Sequence, residues 1–377
     1  MSRAYTEQDD LRLAQLEREH YKVAHEQMGK YALHELFSDD TVNIIRYCED
    51  FHPNPHASKS DKTVKTWAQR LGIWNEETGD HYNNMTAFLH PTPEYNRLVT
   101  IGKTYAFMFF MNDSIGREKV GKMTPKQIGE ARRIVDRLYT LIHTGELPAG
   151  SGQIERGAYE ASSEIRQLAD PLWFRDFMAV MEQHLQPSFY DQNSHAQGQV
   201  LSVQEFIDRR LYVSGMYVTI GLIEFGDNQY LPWELLDNLD LSEPIQRLQW
   251  LCSAIGALMN DVFSYEKEFI VEGSDFNLIP IMYLNNPDWS FHKTIIKASH
   301  FVRNLVRNFY DLENDLNAEL AHYENAHPAM VKAVKTHMLS LRGSVQATWQ
   351  WEVFTDRYKN TATIFRENMT QSIPKQA

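Results

Sequence analysis

Cysteine is all but missing: Cys48 and Cys252 are the only two in 377 residues. They stand in no metal-binding spacing and imply no disulfide framework, so a reducing, cytoplasmic setting is expected. Positive charge is also short. The 37 Lys and Arg face 50 Asp and Glu, a formal net charge of −13. A nucleic-acid partner is therefore excluded, because such proteins need a basic face to neutralise phosphates. No stretch reaches the ~18 consecutive apolar residues of a membrane span. The opening MSRAYTEQDDLRLAQLEREHYK lacks the apolar core of a signal peptide. Convincing strand alternation, internal repeats and low-complexity tracts are absent too.

What is present reads as helix. Residues 8–37 are rich in Leu, Glu, Gln, Ala and Lys, good helix formers. After the Pro- and Asn-bearing loop HPNPHASKSD (52–61), Ser60 or Asp61 is the expected N-cap of KTVKTWAQRLG, which stops at Gly72. Long apolar or amphipathic segments follow at 95–113 and 125–145, the latter ending on Gly145. The segment 146–163 is the loosest and reads as a surface loop or lid. Helical patterns then run almost to the C-terminus. The expected fold is all-α: a single-domain helical bundle at 41–365, a helical extension at 1–40 and a tail at 366–377. Aromatics make up 12% of the chain, enough to line a large core or cavity.

Polar residues interrupt the greasiest of these helices. LCSAIGALM is followed by NDVFSYEKE (260–268), which sets an amide, a hydroxyl and a carboxylate four residues apart at Asn260, Ser264 and Glu268. On an α-helix these positions drift only ~80° around the axis. They form one stripe of hard oxygen donors, the kind that suits Mg²⁺ shared with a substrate phosphate. Lys267 stands beside Glu268 to reach a phosphate oxygen; on a merely exposed polar face, Asp261, Glu266 and Lys267 would instead be solvated neighbours. A second acidic element, FMFFMNDSIGRE (107–118), closes an apolar helix with Asp113 and then Glu118. Phe109 and Phe110 precede Asp113 by about one turn and, with Trp351, are candidates for an aromatic pocket wall. In EFIDRRLYVSGMYV (205–218), Arg209 or Arg210 offers a bidentate partner for phosphate ahead of a helix break at Ser214–Gly215. Near the C-terminus, WQWEVFTDRY adds Arg357 and Tyr358. Each element taken alone also fits an ordinary solvated face, helix end or packing aromatic.

Together these motifs resemble the class I terpene synthases of the microbial type over residues 42–362. NDVFSYEKE resembles that family's second metal motif, DSIGRE (113–118) its acidic motif, and Arg210 with Val213, Ser214 and Gly215 its diphosphate sensor, linker and effector. Arg357–Tyr358 resembles the C-terminal pair. The chain departs from the acidic motif at Ser114, where a second carboxylate is usual. Glu118 then lies ~140° from Asp113 on an ideal helix, and Asn112 is an alternative helper. The resemblance implies an apolar cavity in which three Mg²⁺ ions, held by Asp113, Asn260, Ser264, Glu268 and Glu118, bind a prenyl diphosphate. Arg210, Arg209, Lys267, Arg357 and Tyr358 would grip the diphosphate, and the carbonyl of Ser214 would face the nascent cation. It also implies cyclisation of farnesyl or geranylgeranyl diphosphate, and an antiparallel homodimer. A chain-elongating prenyl transferase would carry two Asp-rich motifs. A protonation-initiated cyclase would carry Asp-x-Asp-Asp, which is absent. A helical scaffold with decayed motifs is the reading from another class, and Ser114 keeps it open.

Overall fold

The computed structural model describes residues 1–76, 79–116 and 121–370, leaving Glu118 outside the described residues. The chain is built of helices: α1 (Glu7–Glu26), α2 (Ala57–Leu71), α3 (Tyr95–Ile115), α4 (Pro125–Thr144), α5 (Gln153–Leu168), α6 (Pro171–Ser188), α7 (Val203–Val213), α8 (Met216–Asp227), α9 (Ser242–Tyr265), α10 (Leu278–Asn285), α11 (Phe291–Leu320) and α12 (Pro328–Phe354). The all-α expectation holds. Among the described residues the two strands, Arg3–Ala4 and Gln199–Val200, are two residues each and pair antiparallel.

Helix α9 is the axis of the bundle. From Leu251 to Met259 and from Asp261 to Tyr265 every residue is buried, the signature of a helix wrapped on all sides. Helices α11 and α12 pack against it on one side and α8 on another. Gly256 permits the last contact, since a Cβ there would run into Met216 of α8. Helix α3 packs between α2 and α5.

Local boundaries follow local chemistry, with two corrections. Gly72 (φ 73°) and Gly145 (φ 71°) end α2 and α4 in the left-handed conformation, as read from sequence. Helix α2 starts at Ala57 rather than after Ser60 or Asp61: the side chain of Asn54 accepts from the His56 amide and initiates the turn earlier. The segment 146–163 is not a loop or lid beyond its first residues. It enters α5 at Gln153, where Glu155 accepts from the Gly152 amide at 3.1 Å and fixes the N-terminus.

The chain ends fasten to the bundle. Arg3 is bonded to the buried Asp9 at 2.6 Å. The guanidinium of Arg12 donates to the carbonyls of Tyr283 and Pro287, closing the end of α10. The Glu367 carboxylate accepts from the amides of Leu33 and His34 at 2.8 and 3.0 Å, tying the two termini together.

Candidate active site

The break in EFIDRRLYVSGMYV is real and its cause is visible. Helix α7 ends at Val213, and Gly215 takes φ 75° before α8 begins at Met216. A side chain at that angle costs roughly 1–2 kcal/mol. Ser214 braces the turn: its hydroxyl donates to the Leu211 carbonyl at 3.0 Å and accepts from the Met216 amide at 3.2 Å. The carbonyl of Tyr212 accepts from His184 Nδ1 at 2.7 Å. Beside the break lies a cavity of about 170 Å³, reached by Ser214, Arg210, Asn260, Glu268, Arg357 and Tyr358. Its apolar wall includes Tyr105, Met108, Phe109, Met111, Met216 and Trp351. A wider hollow of about 1040 Å³, near Trp173 and Trp250, contains none of the residues picked from sequence, so chemistry rather than volume identifies the site.

Asn260 is the hub. Its carbonyl oxygen accepts from Arg210 Nη2 at 3.2 Å. Its amide donates to Glu352 Oε1 at 3.0 Å and to the Tyr358 hydroxyl at 2.8 Å. One side chain thus links α7, α9, α12 and the segment after α12. Arg210 is held by Asp261, whose Oδ1 accepts from Nε at 2.7 Å and from Nη2 at 2.6 Å. Asp261 is 0% exposed, so the solvated reading does not hold for it: its carboxylate turns inward to the arginine and to the Leu278 amide. Glu266 is likewise buried rather than solvated, accepting from the Ile364 amide at 2.8 Å.

The oxygen stripe has a bend that the sequence did not reveal. Residues Glu266–Val271 form a π-helical turn, a distortion frequent at functional sites. The wider turn advances less per residue, so Glu268 swings back toward the Asn260–Ser264 line instead of drifting on. Glu268 accepts from Asn277 Nδ2 at 3.1 Å. Among the described residues Ser264 Oγ is buried with no hydrogen-bond partner, and so is Glu352 Oε2. Orphaned oxygens are costly unless a ligand completes them. All-oxygen donors with unspent lone pairs fit a hard divalent cation. Among the described residues no three His, Cys, Asp or Glu cluster into a metal cage; the stripe instead mixes amide, hydroxyl and carboxylate.

Beside the cavity, Asp113 Oδ1 accepts from the Tyr82 hydroxyl at 3.2 Å, and Arg357 donates to that same hydroxyl. The Arg357 guanidinium also lies 4.7 Å above the Tyr82 ring. Tyr82 stacks on Phe109 with centroids 4.0 Å apart. Burial pushes the Tyr82 phenol up to about 12, so it stays a donor. Burial likewise lifts the Glu352 carboxyl to about 8, against the opposing bond from Asn260. Trp351 donates Nε1–H to Asn84 at 3.0 Å and meets Tyr358 edge-on.

Five candidates fall outside the cavity wall: Phe110, Arg209, Lys267, the buried Ser264 and Asp113. Phe110 lines a small adjoining hollow with Trp74, since successive helical residues point ~100° apart. Arg209 turns to Gln192 Oε1 at 3.3 Å, leaving Arg210 as the cavity arginine. Lys267 is turned to Glu272 at 2.7 Å by the π turn that brings Glu268 inward. Asn112 does reach the cavity, while Asp113 faces the adjoining hollow beside Phe109 and Tyr82. Sequence reading missed Tyr82, Glu352 and His184. Only Glu352 carried a signal, its place between Trp351 and the Arg357–Tyr358 pair.

The family model "Terpene synthase family 2, C-terminal metal binding" matches residues 103–308, more than half the chain. The chain belongs to the class I terpene synthases. Its similarity to 10-epi-cubebol synthase of Sorangium cellulosum is 19% identity over 81% of this chain and 94% of that protein. Sesquiterpene synthase Agr1 of Cyclocybe aegerita is 23% identical over 89% of this chain and 93% of its own length. The fold is that of germacradien-4-ol synthase from Streptomyces citricolor, with a TM-score of 0.67, 18% identity and coverage of 81% and 96%. This terpene synthase is of the microbial type, a cyclase acting on a prenyl diphosphate. No helix among its described residues is long and apolar enough to cross a membrane.

Proposed function

We propose that this terpene synthase is a Mg²⁺-dependent carbon–oxygen lyase of farnesyl or geranylgeranyl diphosphate, yielding a cyclic sesquiterpene or diterpene hydrocarbon or alcohol. The observation that carries the reading is the Asn260 hub, which gathers Arg210, Glu352 and Tyr358 at the polar end of an apolar cavity. Asp113, Asn260, Ser264 and Glu268 would hold the metal, three ions on the strength of the resemblance. When bound, Mg²⁺ would supply positive charge to offset that developing on the departing diphosphate.

The chain's own groups do the rest. Arg210, anchored by Asp261, and Arg357, laid over Tyr82, present fixed positive charge to the diphosphate, and the Tyr358 hydroxyl adds a donor. The allylic C–O bond breaks with both electrons leaving on oxygen. The prenyl cation then faces Phe109 and Trp351, whose ring faces stabilise positive charge. Met108, Met111 and Met216 shape the wall and exclude water until the chain has cyclised. A cytoplasmic setting is supported by two buried free thiols, Cys48 and Cys252. A homodimer is the assembly expected from the resemblance.

The test is incubation of the purified protein with each diphosphate, with Mg²⁺ or with chelator, and gas chromatography–mass spectrometry of the extract. A cyclic product that requires Mg²⁺ is expected. A lengthened prenyl diphosphate in its place would favour a chain-elongating transferase, and no turnover of either substrate would favour a scaffold.

A further inference from the structure

A cyclisation that ends in an olefin has to lose a carbon-bound proton, and the cavity wall holds a histidine placed to receive it. His184 lies on α6, 7% exposed, and is part of the cavity wall beside the break between α7 and α8. Its Nδ1 is 2.7 Å from the Tyr212 carbonyl. A carbonyl only accepts, so Nδ1 carries the hydrogen, and the neutral ring is left with a lone pair on Nε2. Among the described residues no hydrogen bond engages Nε2. Burial pushes the imidazole below its ordinary pKa, against the bond to Tyr212, which keeps it neutral and basic rather than cationic. The ring Cε1 packs against Gly215, 3.5 Å from where a Cβ would stand.

The other ionisable groups of the wall are each engaged: Glu352 and Tyr358 are joined through Asn260, Arg210 is tied to Asp261, Arg357 to Tyr82, Glu268 to Asn277, and Tyr105 to His90. His184 stands apart from that network, beside the break between α7 and α8.

We propose that His184 Nε2 is the proton acceptor that terminates cyclisation, a role that rests on the cyclase reading above. A C–H bond next to the final carbocation breaks, and its electron pair becomes the new C=C bond and neutralises the cation. The proton forms an N–H bond at Nε2. The resulting imidazolium is steadied by the Tyr212 carbonyl through Nδ1–H, and it returns the proton to diphosphate or water as products leave. A carbocation is so strong an acid that even an imidazole weakened by burial takes its proton.

The test compares His184→Asn with His184→Ala, reading olefin formed per diphosphate released. The asparagine amide stands where Nδ1 stood and keeps a donor for the Tyr212 carbonyl, but it has no Nε2 lone pair. Alanine removes both. Both variants are expected to lower the olefin yield per diphosphate by at least about tenfold and to divert flux to water-captured alcohols or double-bond isomers. This is less than the ~10²–10⁴-fold typical of a positioned acid or base, because released diphosphate is a competing acceptor. If His184→Asn keeps the wild-type product profile while His184→Ala does not, the ring is only a brace for the break and the proposal falls. It falls too if both keep that profile, or if the wild-type product is solely an alcohol formed without loss of a carbon-bound proton. A wild-type protein that releases no diphosphate would sink the cyclase reading first, and this role with it. Thermal melts check that both variants fold.

Discussion

Replacing Asp261 with asparagine changes one atom and tests what positions the cavity arginine. The carboxylate spends both oxygens inside the protein: Oδ1 on Arg210 Nε at 2.7 Å and Nη2 at 2.6 Å, Oδ2 on the Leu278 amide at 3.0 Å. An amide of the same shape keeps one acceptor and turns the other into a donor. Whichever way it flips, an N–H then faces either the guanidinium or the Leu278 N–H. Arg210, 3% exposed, meanwhile loses Asp261 as its counter-ion. Removing one partner of a buried pair costs about 3–5 kcal/mol. At roughly 2 °C per kcal/mol for a chain of this size, the melting midpoint should fall by about 6–10 °C. Because Arg210 is also a diphosphate group in the proposed function, diphosphate release should weaken through a raised KM for the substrate. Far-UV circular dichroism melts and a diphosphate-release assay read the two effects separately. The double variant Asp261→Asn with Arg210→Met, which leaves no unpaired charge, should recover part of the lost stability. A single variant melting within about 2 °C of wild type would refute the reasoning, since a buried pair cannot be broken that cheaply.

Ser264→Ala should separate stability from activity, because the orphaned hydroxyl it deletes stabilises nothing in the metal-free fold; a melting point unchanged or slightly raised is expected, with the Mg²⁺ needed for half-maximal rate raised by about tenfold, ~1.4 kcal/mol for one lost ligand. Phe109→Ala should redistribute products while Phe110→Ala leaves the product profile intact, as gas chromatography of the two extracts would show. Glu224 is buried and its carboxyl is raised to about 7, so the folded state holds a proton the unfolded chain has released; its share of stability is full below about pH 4.5 and is lost as pH climbs to about 7, on the order of 3 kcal/mol in all. Glu224→Gln, which still accepts from the Leu231 amide, should flatten the melting-point profile across that window, and an unchanged slope would remove Glu224 as its source.

How much of this site the sequence revealed depends on the physics behind each residue. Asn260 and Glu268 were legible as cavity residues because a row of three oxygen-bearing side chains, with Ser264 between them, stands out in an apolar helix. The Ser214–Gly215 break was legible because few residues besides glycine accept φ 75°. Tyr82 was not, since a tyrosine in a short helix carries no mark of the Arg357 and Asp113 that reach it from distant segments. Asp261 was not legible either, for a related reason. On a polar face beside Asn260 it would be one more charge, yet it lies 51 positions from Arg210 in sequence, and only the crossing of α7 over α9 makes the pair. The π turn at Glu266–Val271 escaped as well, because nothing in EKEFIV forbids an ordinary α-helix. That turn matters most. An undistorted helix would carry Glu268 past the line of Asn260 and Ser264, whereas the wider turn brings it back and sends Lys267 out to Glu272. The donor set was readable as a spacing, but its geometry is a property of the packed bundle. That is why a lysine beside the motif's glutamate reads as a phosphate ligand in sequence and stands outside the cavity in the fold.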